Sequence, residues 1–183
     1  MLKKIGIALA AVISLFLVYV AFQSPDYEIK RQITIQASPE KIFPHLNSSK
    51  LADKWGPWKE IDPAAAYAFS GPETGVGAKT SWTGGKQMGT GSATISEVVP
   101  NQLVGIKLEY IEPMSMSQYS EYILEPKDGQ SLMTWRVRGK NGFVSRLMCN
   151  FFNMDKMVGG FFEKGLSNLK TQVETAQKAE KAS

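Results

Sequence analysis

Residues 103–138 read LVGIKLEYIEPMSMSQYSEYILEPKDGQSLMTWRVR, and their periodicity decides the fold. Within them, 103–111, 116–125 and 132–138 alternate apolar and polar side chains, and each is bounded by a turn signal: Glu112-Pro113 after the first, Pro126-Lys127-Asp128-Gly129 after the second. Alternation of period two puts every second side chain on one face, so these segments predict consecutive strands of an antiparallel meander. Working back toward the N-terminus, 66–70, 78–83 and 86–98 repeat the pattern between glycine and proline turns. The run YEIKRQITIQ at 27–36 adds a first strand, with Ile29, Arg31, Ile33 and Ile35 in alternation. Between that strand and the meander, Ser38-Pro39 opens a short helix with Ile42, Phe43 and Leu46 on its buried face, Ser38 being placed to cap it. A second short helix, around 49–54, stops at Trp55-Gly56-Pro57-Trp58.

From Phe143 onward the period becomes helical and the side chains bulky. Gly159-Gly160 predicts a break between a short helix ending near Asn153 and a long one from about 160 to 176, with the glycine pair as a candidate hinge. Helices that follow a meander cover its one apolar face, so the chain is α+β. About 160 residues remain beyond the N-terminal segment, enough for one domain with a sizeable core. The domain predicted is 27–177, followed by a polar tail at 178–183.

The order of several motifs resembles the SRPBCC superfamily. They are Ala37-Ser38-Pro39-Glu40-Lys41-Ile42-Phe43, the corner Trp55-Gly56-Pro57-Trp58, the turn from Ser70-Gly71-Pro72 to Gly77-Ala78, Leu124-Glu125-Pro126, Met154-Asp155-Lys156-Met157-Val158-Gly159, and Phe162-Glu163-Lys164-Gly165-Leu166. More narrowly, they resemble its polyketide cyclase/dehydrase-like branch, related to START and Bet v 1 domains. The resemblance implies a helix-grip fold: a curved antiparallel sheet of about seven strands around a long C-terminal helix, with a deep apolar cavity between them.

The N-terminus is of a different kind. Residues 5–22, IGIALAAVISLFLVYVAF, carry no charge and follow Met1-Leu2-Lys3-Lys4. As a helix the run measures about 27 Å, close to the roughly 30 Å of a hydrocarbon core. A transmembrane anchor over 5–23 is the leading reading, and a cleaved signal or a buried helix are the alternatives. The residues before any cut, such as Tyr19 or Gln23, suit signal cleavage poorly. Lys3 and Lys4 place the four-residue N-terminus in the cytoplasm and the domain on the other side, which in a bacterium is the periplasmic face of the inner membrane.

Chemistry-bearing residues are sparse. The chain has one histidine, His45, and one cysteine, Cys149, so no zinc-ligand set, Ser-His-Asp triad or Cys-His pair can be assembled. No metal or cofactor is predicted. Cys149 reads as a small core side chain, and no internal disulfide is possible. His45 falls opposite Ile42, Phe43 and Leu46 and is expected to face solvent. Glu109, Glu112, Glu121 and Glu125 alternate with apolar neighbours and are expected on the wet face of the sheet, while Arg136 and Arg138 are candidates for a charge at a cavity rim. Asp155 is expected to cap a helix or pair with a base. The net charge of +4 is small, and without a basic stripe bearing interleaved aromatics no nucleic-acid partner is predicted. Protein partners are left open.

The candidate site is aromatic and sulfur-bearing. Trp82, Leu108, Tyr110, Tyr122 and Trp135 share the sheet face that also carries Ile106 and Met133. Met148, Phe151, Phe152, Met157, Phe161 and Phe162 lie on the helices that cover it. Methionine adapts to varied ligand shapes, and Trp or Tyr can present a polar tip in an apolar pocket. The function expected is a membrane-tethered binding domain for an apolar or amphipathic small molecule, such as a lipid, an isoprenoid quinone or an aromatic polyketide-like compound. A cyclase/dehydrase-type enzyme acting on such a ligand is the first alternative. A structural or interaction module with a filled core is the second.

Overall fold

The computed structural model describes residues 2–85, 87–113 and 115–182. Its elements follow the predicted order: α1 (Leu2–Phe22), β1 (Asp26–Ile35), α2 (Pro39–Leu46), α3 (Ser49–Trp55), α4 (Trp58–Ile61), β2 (Ala66–Ser70), β3 (Lys79–Thr83), β4 (Thr90–Val99), β5 (Leu103–Glu112), β6 (Met116–Lys127), β7 (Gln130–Lys140), α5 (Phe143–Cys149) and α6 (Met154–Ala182). The strand expected over 86–98 is β4, which begins at Thr90; Lys86 lies outside the described residues, as does Ser183 of the predicted tail. The short helix α4 is an addition, made where the chain turns after Pro57.

All seven strands form one curved antiparallel sheet in the order β1-β7-β6-β5-β4-β3-β2. The meander supplies six in sequence order, and β1 closes the far edge by pairing with β7 over its whole length, from Asp26 opposite Lys140 to Ile35 opposite Ser131. Long-range pairing of the first strand with the last leaves the α2–α4 segment to cross one end of the sheet, and α6 lies along the concave face. The core between sheet and helix contains Ile29, Ile35, Ile42, Leu46, Trp55, Val104, Met133, Phe162, Leu166, Leu169 and Val173. On α6, residues 162, 166, 169 and 173 recur at helical spacing and are all buried, which is the stripe that seats the helix.

Five expectations need correction. Ser38 stands at the N-cap of α2 with extended backbone, but its side chain bonds no helix amide; Ser48 caps α3 through Leu51 N. His45 is half-buried, because α3 folds against α2 and the Trp55 indole donates to the His45 carbonyl oxygen at 3.0 Å. Its Nδ1 is buried without a partner, and desolvation, with nearby Lys54, lowers its pKa. Cys149 is exposed and takes no part in the core. Glu121 points to the convex face, as its parity requires, yet is buried there beneath Arg136 and Arg138 at 2.7 and 2.9 Å. Two guanidinium groups shield one carboxylate from water, and both arginines are thereby held away from the cavity.

The fifth correction concerns the glycine pair. α6 runs unbroken through Gly159 and Gly160, and the helical break falls at residues 150–153, where the Asn153 side chain caps Lys156 N at 2.9 Å. The two glycines differ. A Cβ built on Gly159 would lie 2.0 Å from the Arg31 guanidinium, whereas one on Gly160 would meet nothing within 4 Å. Arg31 crosses Gly159 to bind the Asp155 carboxylate at 2.9 Å, the Asp155 carbonyl oxygen at 2.9 Å and Glu163 at 2.6 Å, tying β1 to the start of α6. Gly160→Ala is therefore expected to raise stability by about 1 kcal/mol through helix propensity. Gly159→Ala is expected to lower it, because Arg31 must leave its bonds. Parallel urea melts of the two variants check this, and two equal gains would refute the account of Gly159.

Candidate ligand cavity

Because α6 is seated by residues 162–173, its first turns, α5 and the 150–153 turn arch over the wider end of the sheet. Beneath them is a cavity of about 1140 Å3. Its sheet wall comes from inward-facing positions on β1 and β3–β7, among them Ile29, Trp82, Ala93, Ile106, Leu108, Tyr110, Gln118 and Val137. Trp58 and Tyr67 close one side, and Val144, Met148, Phe151, Phe152, Val158 and Phe161 form the roof.

Ten of the eleven predicted site residues border this space: Trp82, Leu108, Tyr110, Tyr122, Trp135, Met148, Phe151, Phe152, Phe161 and Phe162. Met157 does not. On α6 the cavity takes positions 154, 155, 158, 161 and 162, one helical face, and Met157 falls outside that stripe and is half exposed. The ten have different characters. Trp135, Tyr122 and Phe162 belong to an aromatic cluster and serve the core as well as the wall. Trp135 stacks on Phe162 with ring centroids 4.2 Å apart and planes 7° from parallel, and meets Trp55, Trp58 and Tyr122 edge to face at 5.3–5.8 Å. Met148, Phe151 and Phe152 are exposed on their other side.

The indole tips of Trp82 and Trp135 are committed. Trp82 Nε1 donates to the Met88 carbonyl oxygen and Trp135 Nε1 to Ser120 Oγ, itself bonded to the Arg136 carbonyl oxygen. The hydroxyls of Tyr110 and Tyr122 make no hydrogen bond among the described residues, and the Tyr27 hydroxyl is buried over Gly139 with the Gln118 amide close by. Burial pushes the Tyr27 pKa up to about 12, with Tyr110 and then Cys149 adding to the rise and the Gln118 amide offsetting part of it. Tyr27, Tyr110, Gln118, Asn141 and Cys149 all border the cavity, so hydrogen-bonding groups stand in one part of a largely apolar space.

Sequence reasoning missed Tyr27 and Gln118. Both share strand parity with recognised inward residues, Tyr27 with Ile29 and Gln118 with Tyr122, and extending each alternation would have found them. It also missed Asp62, for which no sequence signal exists. This buried carboxylate accepts from the Gln87 and Met88 amides at 3.0 and 3.1 Å, which lower its pKa and pin the loop whose Met88 carbonyl receives Trp82.

Carboxylates around the cavity are engaged with neighbours. Asp155 is held below the usual carboxylate range by Arg31, Asp53 binds Lys59 at 2.5 Å, Glu112 accepts from the Thr90 hydroxyl at 3.2 Å, and Glu28 has Arg136 at 3.9 Å. His45 is not part of the wall. Among the described residues no group of three His, Cys, Asp or Glu side chains could hold a metal ion.

A seven-stranded sheet gripping a helix over an apolar cavity defines the SRPBCC class of ligand-binding and cyclase folds. Within that class the chain belongs to the polyketide cyclase/dehydrase and lipid transport family, whose sequence profile matches residues 27–174. Solved structures with a similar fold include protein CV1439 from Chromobacterium violaceum, with a TM-score of 0.57 at 14% identity over 80% of this chain and 96% of that one. Another is Ara h 8.0201, at 0.53 and 13% over 82% and 99%. The di-domain ARO/CYC StfQ from the steffimycin biosynthetic pathway is similar too, at 0.59 and 9% over 84% of this chain and 52% of that one. At these identities the likeness is one of fold. Comparison with curated proteins gives no match.

Proposed function

We propose that this protein binds an apolar or amphipathic small molecule, in the size range of a lipid, an isoprenoid quinone or an aromatic polyketide-like compound, and holds it in the cavity beneath α5 and α6. The observation that carries the reading is the cavity itself: about 1140 Å3, walled by Trp, Tyr, Phe, Leu and Ile side chains, with Tyr27, Tyr110 and Gln118 together in its lining. Such a lining binds by shape and apolar burial, with few polar groups to orient the ligand. All eleven predicted residues except Met157 are retained as ligand contacts. Binding is preferred to cyclase chemistry because Asp155, Asp53 and Glu112 already have partners, and His45 lies away from the wall. An acid–base pair would need a free group within hydrogen-bond reach of the ligand.

The N-terminal helix fits a tether for such cargo. Lys3–Phe22 is long and apolar enough to cross a membrane, with mean hydropathy 2.7. A domain held at the bilayer meets membrane-dissolved ligand at high effective concentration. In this reading residues 5–23 anchor the chain, Lys3 and Lys4 stay in the cytoplasm, and the 27–177 domain works on the opposite side. A C-terminal reporter active only in the cytoplasm, or a mature chain starting near Ser24, would overturn that topology.

The binding test uses a soluble form starting at Ser24, titrated with fatty acids, quinones and aromatic polyketide analogues, beside native mass spectrometry of the full chain purified in detergent. Saturable binding of at least one class, and a co-purifying apolar mass, are expected. No saturable binding in any class would reject the reading.

A further inference from the structure

The roof of the cavity is itself apolar on its outer side. Phe151 is 68% exposed, Val144 61%, Phe152 57% and Met148 46%, and each also borders the cavity. Side chains that line a cavity and face outward define its mouth. From Asn141 to Met154 the only charged residue is Arg146, and it is turned toward the end of α1, donating to the carbonyl oxygens of Ala21 and Gln23 at 3.1 and 2.6 Å. A contiguous exposed surface of this kind marks an interaction site.

The structure indicates what covers it. α1 docks on this roof through one helical face: Val20 is buried, Phe16 is partly buried, and the Phe16 ring meets Phe151 edge to face at 5.9 Å. Gln23 and Asn150 exchange hydrogen bonds at 3.0 and 3.2 Å beside Arg146. Phe16 lies six residues before the end of α1, which is about 9 Å along a helix axis. If α1 spans the bilayer, Phe151 sits beside a residue already within the acyl chains, at the roughly 5–10 Å depth of an interfacial helix. The polar groups Gln23, Asn150 and Arg146 then cluster nearer the end of the span.

Backbone placed at that depth must satisfy its own hydrogen bonds, and the amides of residues 150, 151, 152 and 154 do so. Phe151 N and Phe152 N donate to the Met148 carbonyl oxygen, Met154 N donates to that of Phe152, and Asn150 Nδ2 donates to that of Arg146.

We propose that α5 and the 150–153 turn are embedded in the outer layer of the same membrane that holds α1, so that the cavity opens into the acyl-chain region and exchanges its ligand with lipid directly. This rests on the reading of α1 as a transmembrane anchor. A ligand taken up by this route leaves hydrocarbon for hydrocarbon and never crosses water, which removes the desolvation barrier to transfer.

The test uses the full chain with Cys149→Ser, carrying a single cysteine at Phe143, Phe151, Leu15 or Lys127. Each is labelled with an environment-sensitive fluorophore and reconstituted in vesicles of phosphatidylethanolamine and phosphatidylglycerol. Quenching by lipids spin-labelled on the acyl chain is compared with quenching by aqueous iodide. Positions 143 and 151 are expected to be quenched by the acyl-chain label and shielded from iodide, as is 15, while 127 shows the reverse. Lipid quenching at 15 with iodide quenching at both 143 and 151 overturns the embedded roof and leaves the anchor standing. Iodide quenching at 15 overturns the anchor, and the roof with it.

Discussion

Replacing Trp135 with alanine is expected to cost the domain about 3–5 kcal/mol, the range for truncating a large buried aromatic. Trp135 is 2% exposed and stands at the centre of the rings of Trp55, Trp58, Tyr122 and Phe162. It joins the sheet, the α3–α4 corner and α6 in one contact. The helix is shaped to it: a Cβ on Gly165 would fall 2.7 Å from the indole ring, so only glycine lets α6 settle at this height. With no disulfide to restrain the unfolded chain, packing must supply the whole of a stability that for ordinary domains is about 5–15 kcal/mol. Urea denaturation of the form starting at Ser24 measures the loss. A cost below about 1 kcal/mol would mean that the cluster is loosely packed and that α6 is seated by its aliphatic stripe alone.

Ala93→Phe is expected to reduce ligand affinity by about tenfold or more, equivalent to about 1.4 kcal/mol, with stability unchanged or raised. Ala93 projects from β4 opposite Leu108 into the cavity, and a phenyl ring there would occupy ligand volume. Atoms lining an empty cavity lack partners on one side, so a ring that supplies them returns dispersion energy. In a filled interior the same substitution would force neighbours off their rotamers at a cost of about 1–3 kcal/mol. Paired melting curves and ligand titrations separate the two. Lower stability with unchanged affinity would favour a packed structural module over a binding domain.

Particular elements explain how much of this was legible in sequence. Strand periodicity between turn signals found all seven strands; where a strand has a buried face, alternation records it directly, and β2, which buries none of its residues, was legible from the turns around it. The same alternation nominated Trp82, Leu108, Tyr110, Tyr122 and Trp135, all of which border the cavity. It placed Glu121 on the outer face but could not foresee its burial, which arises from Arg136 on β7, directly across the strand pair, and from Arg138 on the same strand. For the helices the signal was weaker. Gly159-Gly160 looked like a break because glycine disfavours helix locally, yet β1 and α6 meet there and Arg31 fills the space that a side chain would need. Local propensity of about 1 kcal/mol per residue yields to such tertiary contacts.

By itself, then, the sequence determined the α+β class, the strand order along the chain, the inward face of the sheet and the single apolar helix near the N-terminus, since each is written in short-range patterns of burial and charge. Only the tertiary structure decided that β1 pairs with β7, that Tyr27 and Gln118 come together at the cavity wall, that Asp62 pins the Met88 loop, and that α1 docks against Phe151 on the roof. Those features join residues between 25 and 135 positions apart. They depend on which surfaces meet once the sheet curves around α6, and no pattern read along the chain carries that information.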